Sequence, residues 1–401
     1  IYMSKHTIVT MPGDGIGRVV MDEAIRVLDA AGFDAEYVHG DIGWEFWCSE
    51  GNALPERTIE LLKKHRVGLF GAITSKPKEE AASELSPGLK DKGYVYASPI
   101  VSMRQMFDLD ICIRPCRTYR GNPLNFIRRG PQGEIEEPEV NVVIFRQNTE
   151  GLYCGVEWSH PEGIVYDALN SHPNFRKNFG KVPKEEIAVS TRIFTKRATE
   201  RILRAAFEYA DKNGFKSVTL CEKPNVIRET SGMMYRMARD MQKEYNHIQL
   251  WNTNIDAQMM WLTKNPEDYG VIVAGNMFGD IVSDGFAGLI GGLGFACSAN
   301  IGGSVAVFEP THGSAPKYAD YPVSIVNPIA MIESACLMLE YLGEQMISEK
   351  IKKAIAEVIF EGNVRTYDMM KMKGSPDALK HGAASTREMG GEIVKKVTSD
   401  K

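Results

Sequence analysis

The segment His6-Thr7-Ile8-Val9-Thr10-Met11-Pro12-Gly13-Asp14-Gly15-Ile16-Gly17, followed through Leu28, sets the fold class. Residues 7–10 are β-branched and apolar, Pro12-Gly13-Asp14-Gly15 punctuates the chain, and Met21, Ala24, Ile25 and Leu28 then recur at helical spacing. This is strand, tight turn, helix, the opening unit of an α/β protein. The glycines lack the Gly-x-Gly-x-x-Gly spacing of a dinucleotide fingerprint, so the turn gives no ground for a Rossmann domain.

The alternation continues outward. Pro55 opens a helix through Leu62, and residues 67–73 form a short buried run. Residues 142–145 and 187–190 read as strands. Ala198, Ile202, Ala205 and Tyr209 mark a helix face ended near Gly214, and residues 218–221 are the next strand. Met234, Met237, Ala238, Met241 and Tyr245 make one helical stripe, which reads as core packing. Residues 329–342 carry a further helical pattern. Residues 151–184 are rich in His, Pro, Asn and Gly without clear periodicity, which is long for a structureless loop and points to a functional insertion or an oligomer contact.

A chain of 401 residues exceeds one ordinary domain, so two domains with a cleft between them are expected. Its 43% hydrophobic and 25% charged residues suit a globular core and leave no room for a disordered or fibrous class. The net charge of -5 argues against nucleic acid and anionic lipid as partners, so an anionic substrate would need a local basic pocket. The Gly-rich apolar stretch at 286–296 falls short of the ~20 residues of a membrane helix, and no secretory signal precedes the first strand; a cytoplasmic protein is expected. Cys48, Cys112, Cys116, Cys154, Cys221, Cys297 and Cys336 show no Cys-x-x-Cys pair and read as reduced packing residues.

In Gly279-Asp280-Ile281-Val282-Ser283-Asp284 two carboxylates four apart share one helix face and can grip a divalent cation, Mg or Mn by the hardness of the oxygens. The alternative is charge complementing a helix N-terminus. Asp256 offers a third carboxylate. Arg104, Arg114 and Arg146, read as lying on successive strand ends, could chelate several carboxylates through bidentate bonds. Taken singly, each reads as a surface ion-pair partner. Lys223 follows a strand directly; near carboxylates and a metal its amine can serve as a general base, with the phenol of Tyr153 as matching acid, or it is a solvated lysine. Glu309-Pro310-Thr311-His312-Gly313-Ser314-Ala315-Pro316 suits a loop whose backbone approaches a phosphate or an adenine ring.

Together these segments resemble the isocitrate and isopropylmalate dehydrogenase family of metal-dependent β-decarboxylating dehydrogenases. The matches run in order: residues 12–17, Arg104 to Arg114, Phe145-Arg146-Gln147-Asn148-Thr149-Glu150-Gly151 with Tyr153, Lys223-Pro224-Asn225, residues 276–284 and Thr311-His312-Gly313. The resemblance implies that family's two-domain α/β fold, not a Rossmann fold. Its large α/β domain would be residues 1–109 and 291–401, and its small α/β domain residues 110–290, including a dimer clasp at about 151–186. It also implies a homodimer with shared active sites and a small polycarboxylate substrate. Ser98, Arg104, Arg114 and Arg146 would bind substrate, and Asp256, Asp280 and Asp284 the Mg or Mn. Tyr153, Lys223 and Asp256 would be catalytic, with Lys223 and Asp256 reaching the neighbouring subunit's site. His312, Gly313, Lys317, Tyr318, Asn327 and Tyr367 would hold the dinucleotide. Lys317 and Tyr318 stand where NADP-preferring members carry Lys and Tyr, so NADP is expected, with NAD as the alternative; Lys371 stands where an Arg is often found.

Ser98 matches the serine of isocitrate enzymes, and the run ending at Trp158 resembles that branch, so oxidative decarboxylation of isocitrate is expected. Ile100 and Val101 fall where isopropylmalate enzymes place paired leucines, which keeps 3-isopropylmalate or homoisocitrate open. A non-catalytic regulatory subunit of a hetero-oligomeric dehydrogenase is the alternative from another class, and the intact set of arginines, aspartates, Tyr153 and Lys223 speaks against it.

Overall fold

The computed structural model describes residues 5–399. Strand β1 (His6–Gly13) enters helix α1 (Gly17–Ala31) through the turn read from the sequence. Gly13 has φ +72°, and a Cβ there would lie 2.0 Å from the Ala72 carbonyl oxygen, so close backbone packing explains this glycine. The Asp14 carboxylate accepts from the backbone N–H of Trp44 and of Thr74, both at 2.8 Å, and Ile16 N–H donates to the Ser314 carbonyl at 3.0 Å. The turn thus ties three distant segments together.

The remaining strands of the main sheet are β2 (Ala35–His39), β3 (Val67–Ala72), β4 (Ile111–Arg117), β5 (Asn141–Gln147), β6 (Ser217–Glu222), β7 (Gln249–Asn254), β8 (Val271–Ala274), β9 (Cys297–Ile301) and β10 (Ala306–Pro310). They form one ten-stranded sheet in the order β7-β6-β8-β5-β4-β9-β10-β3-β1-β2. Strands from 111–274 occupy one half, and strands from 6–72 and 297–310 the other. Within the halves, β7-β6-β8-β5 and β10-β3-β1-β2 are parallel blocks, and β4 and β9 join them through the antiparallel pairs β5–β4, β4–β9 and β9–β10. The parallel strands β3 and β8 are buried along their whole length, as strands covered on both faces must be.

The helices that position the site are α2 (Pro99–Met106), α3 (Lys196–Lys212), α4 (Thr230–Gln242), α5 (Ile255–Trp261) and α6 (Asn276–Ile290), while α7 (Ile329–Tyr341) is buried against β10 and α1. Thr195 caps α3 by accepting from Ala198 N–H, and the helix buries Ile202, Leu203, Ala206 and Phe207 against β5 and β8. Met234, Ala238 and Met241 of α4 are buried in the same cluster, which accounts for the methionine stripe as packing. Every cysteine is free and five of the seven are buried.

The stretch without clear periodicity is not a structureless loop. It holds two short helices, Gly163–Ser171 and Pro173–Phe179, and an antiparallel ribbon of Glu157–Trp158 with Val189–Ser190, all outside the main sheet. Tyr166, Phe175 and Phe179 pack on one another there, with ring centroids 6.0 and 5.5 Å apart, while Ile164 stays 84% exposed. Helices of nine and seven residues are too short to display a clear period, which is why the sequence pattern missed them. Among the described residues no helix is long and apolar enough to cross a membrane.

Candidate active site

The alternation of a strand decides the floor of the site. On β4, Cys112, Arg114 and Cys116 face α6, while Ile111, Ile113 and Pro115 line a cleft of about 960 Å³ on the opposite face. Cys112 is paired with Arg146 on β5 and Arg114 with Ile144, so the two guanidiniums lie on one face, diagonally adjacent. Neither is a surface ion-pair partner, the reading that each residue alone invites: Arg114 is 8% exposed and Arg146 3%. Helix α6 crosses above them. Arg114 Nη1 donates to Ser283 Oγ at 2.7 Å and to Asp280 Oδ1 at 3.0 Å, and lies 3.5 Å from Asp284 Oδ1. Arg146 Nη1 donates to the same Asp280 oxygen, while its Nη2 and Nε bond Asn276 Oδ1 at 2.8 and 3.1 Å. Burial, reinforced by the neighbouring Arg114, pushes the Arg146 guanidinium down to about 10.

Arg104 corrects another expectation, since it sits on helix α2 and not at a strand end. Its Nη2 donates to Glu309 Oε1 at 3.1 Å, an oxygen that also accepts from Asn300 Nδ2 at 2.8 Å; Asn148 Nδ2 in turn donates to Asn300 Oδ1 at 2.8 Å. Arg104 and Arg114 each keep a buried Nε without a partner. Tyr153, in a single turn after β5, is 47% exposed, with its ring 5.9 Å from the Arg146 guanidinium. Ser98 stands just before α2, and its hydroxyl caps no backbone group there.

Asp280 and Asp284 lie beyond the first turn of α6, which contains no acid, so helix-end charge complementation does not account for them. Their side chains are 32% and 61% exposed, and burial raises the Asp284 carboxyl above its ordinary value. Two hard carboxylates on one helix face fit one side of a divalent-cation site. Asp280 is at the same time the counter-ion of two buried arginines. Asp256 is elsewhere: in the first turn of α5, it pairs with Lys223 Nζ at 2.6 Å, and that hydrogen bond holds its carboxyl below the usual range. Among the described residues no three His, Cys, Asp or Glu side chains gather closely enough to hold a metal. One chain therefore brings Asp280 and Asp284 to the arginines, and Lys223 to Asp256, without uniting the two groups.

The loop after β10 is pinned by Thr311 N–H to the Ala296 carbonyl at 2.9 Å and by Ser314 Oγ against Thr74 Oγ1 at 2.7 Å. Within it, burial lowers the His312 imidazole below its ordinary value, and His312 Nε2 and Thr311 Oγ1 have no partner. Unsatisfied buried polar atoms are what a bound dinucleotide would complete. The Tyr318 and Tyr367 rings meet tilted at 47° with centroids 5.6 Å apart, Lys317 Nζ lies 5.3 Å over the Tyr318 ring, and Asn327 Nδ2 donates to Asp368 Oδ2 at 3.2 Å. Gly313 is exposed. Sequence reasoning assigned no role to Glu309, Asn300, Asn276 or Ser283. Glu309 opens the quoted loop motif and Asn276 the acidic helix, but nothing local marks either as a partner of an arginine.

A family profile described as isocitrate/isopropylmalate dehydrogenase matches residues 7–393. The 3-isopropylmalate dehydrogenase of Methanothermobacter thermautotrophicus is 36% identical over 393 residues, covering 98% of this chain and 99% of that protein. Protein DlpA of Legionella pneumophila is 36% identical over 389 residues, and there the match covers 96% of this chain but only 58% of the relative. Among solved structures, isocitrate dehydrogenase from Methylococcus capsulatus superposes with a TM-score of 0.79 at 33% identity, covering 98% of this chain and 99% of that one.

Proposed function

The chain belongs to the isocitrate/isopropylmalate dehydrogenase family of metal- and NAD(P)-dependent decarboxylating enzymes, and from that premise we propose that it converts isocitrate to 2-oxoglutarate, with NADP as hydride acceptor and Mg or Mn as metal. The observation that carries the reading is the convergence of Arg114 and Arg146 on Asp280, beside Asp284, with Arg104, held by Glu309, near enough for its charge to act on Arg146. Arg114 and Arg104 both lower Arg146, so the three charges sense one another. A tricarboxylate satisfies such a pocket better than a monoacid can.

Asp280 and Asp284 would hold the cation together with Asp256 of a second copy. When bound, the cation would supply Lewis acidity to the hydroxy acid and NADP would accept the hydride. Arg104, Arg114 and Arg146 orient the carboxylates, with Ser98 beside them at the start of α2. Lys223 removes the proton of the C2 hydroxyl, and Tyr153 delivers one to C3 after carbon dioxide leaves. His312, Gly313 and Asn327 would hold the dinucleotide, and Lys317, Tyr318 and Tyr367 would bind its 2'-phosphate.

A homodimer with shared sites is part of this proposal. Its support is that Lys223 and Asp256 stand apart from Asp280 in one chain, and that Met260, Trp261 and Ile281, on the same helices, are 49%, 43% and 41% exposed. The strand Glu157–Trp158 and the paired helices, all within 151–186, would form the clasp, and the two sheet halves the large (1–109, 291–401) and small (110–290) domains. The second reading is 3-isopropylmalate: Ile100 packs into the core, but Val101, three residues before Arg104 on α2, is 46% exposed and offers an apolar contact. Specificity constants for isocitrate, homoisocitrate, isopropylmalate and malate, each with NADP and NAD at saturating Mn, test the proposal. A higher constant for isopropylmalate establishes the second reading, and no turnover with any acid favours a regulatory subunit.

A further inference from the structure

The carboxylate of Glu222 at the end of β6 is fully buried and makes every bond a carboxylate can use. Its Oε1 accepts from Gly275 N–H at 2.8 Å and from Arg192 Nη2 at 3.1 Å; its Oε2 accepts from the same Nη2 at 2.8 Å and from Ser231 Oγ. Arg192 Nη1 reaches Thr230 Oγ1 at 2.9 Å and Ser231 Oγ at 2.8 Å. The guanidinium lies 4.5 Å over the Phe194 ring and 4.9 Å over that of Phe278. Ser231 Oγ also accepts from Lys223 N–H at 3.4 Å.

The cluster touches both catalytic contributions of the chain. Lys223 is the next residue after Glu222, and Gly275 is the residue from which α6, with Asp280 and Asp284, starts. A Cβ on Gly275 would lie 2.6 Å from Glu222 Oε1, so the helix start can approach the carboxylate only because this residue is glycine. Arg192 comes from the limb returning from the 151–190 insertion, where Ile193 bridges Gly151. We infer that Glu222, with Arg192 and Ser231, is a positioning unit that fixes the backbone of Lys223 and the start of α6 relative to each other. It takes no part in the chemistry. The inference rests on the roles proposed above for Lys223 and Asp280.

A buried ion pair broken on one side leaves an uncompensated charge, so Glu222→Gln alone can unfold the protein without informing on position. The informative variants are Ser231→Ala, which keeps both charges, and Glu222→Gln with Arg192→Met, which removes both. Each is expected to stay folded and to lose about 10- to 100-fold in kcat for hydroxy-acid oxidation, the cost of a small misplacement of reacting groups. KM should change by less than about threefold, because the three substrate arginines are untouched. Amide hydrogen exchange should rise together at 223–228 and at 275–280. Folded variants with unaltered kcat overturn the inference, as does exchange that rises at only one of the two segments. Failure of the functional reading shows separately, as absence of turnover in the unmodified protein; the paired exchange measurement then still decides whether the unit couples the two segments.

Discussion

Replacing Asp280 by Asn separates two roles that the sequence merges. From its spacing to Asp284 alone, Asp280 would be a metal ligand whose loss spares the fold. In the structure Asp280 Oδ1 is also the acceptor shared by Arg114 and Arg146, which are 8% and 3% exposed. Charge-assisted hydrogen bonds contribute roughly 1.5–3 kcal/mol each. The loss is smaller than two such bonds, because Arg114 keeps Ser283, Arg146 keeps Asn276, and the Asp280 side chain is 32% exposed, so water replaces part of what is removed. Asp280→Asn is therefore expected to destabilise the protein by about 1–3 kcal/mol. Asp284→Asn is the control: at 61% exposure and 3.5 Å from Arg114 it should cost no more than about 0.5 kcal/mol. Both variants should lose turnover at limiting Mn. Equilibrium urea unfolding, fitted with a common m-value, measures the difference. Millimolar isocitrate should recover part of the Asp280→Asn loss, since an added polycarboxylate supplies the missing negative charge to the two arginines and ligand binding stabilises by mass action. Equal stability of the two variants would refute the counter-ion role.

Lys223→Met should abolish oxidation of the hydroxy acid but retain much of the decarboxylation of a supplied 2-keto intermediate, measured as carbon dioxide release; equal loss of both half-reactions contradicts the proton assignment. Lys317→Asp with Tyr318→Ile should move the ratio of specificity constants from NADP toward NAD, and an unmodified protein that already prefers NAD shows that Lys317 is an ordinary surface charge. Asp110, 1% exposed at the start of β4, lies 3.0 Å from Arg201 Nη2 but in a geometry that gives neither of its oxygens a hydrogen bond, and burial raises its carboxyl to about 6. A carboxyl raised in the folded state holds its proton longer than in the unfolded chain, so its contribution to stability is fully present below about pH 4 and lost as pH rises through about 6. Asp110→Asn should therefore stabilise the protein by about 1–3 kcal/mol at pH 7, with the gain vanishing near pH 4; a pH-independent difference in urea unfolding would contradict this.

The α/β class, the opening strand–turn–helix and the order of the chemical motifs were legible in the chain because period and spacing are local properties. β-branched runs and helical stripes exist before any long-range contact forms. Asp280 and Asp284 share a face for the same reason: one helix carries both. Local pattern could not decide what depends on register between distant segments. Arg114 and Arg146 face the same side only because Cys112 pairs with Arg146 across an antiparallel strand pair, and their burial follows from α6 crossing that face. Arg104 reads from the sequence as lying at a strand end, whereas Pro99 at the first helical position starts a helix there. The helices within 163–179 are too short to show a period, and their aromatic residues pack on each other instead of on the main core. Glu222 gives no sign of its role in the sequence, since its partners Arg192, Ser231 and Gly275 come from three other segments. A buried carboxylate is tolerable only when such partners converge, and that convergence is decided by tertiary packing, not by the composition of any one stretch.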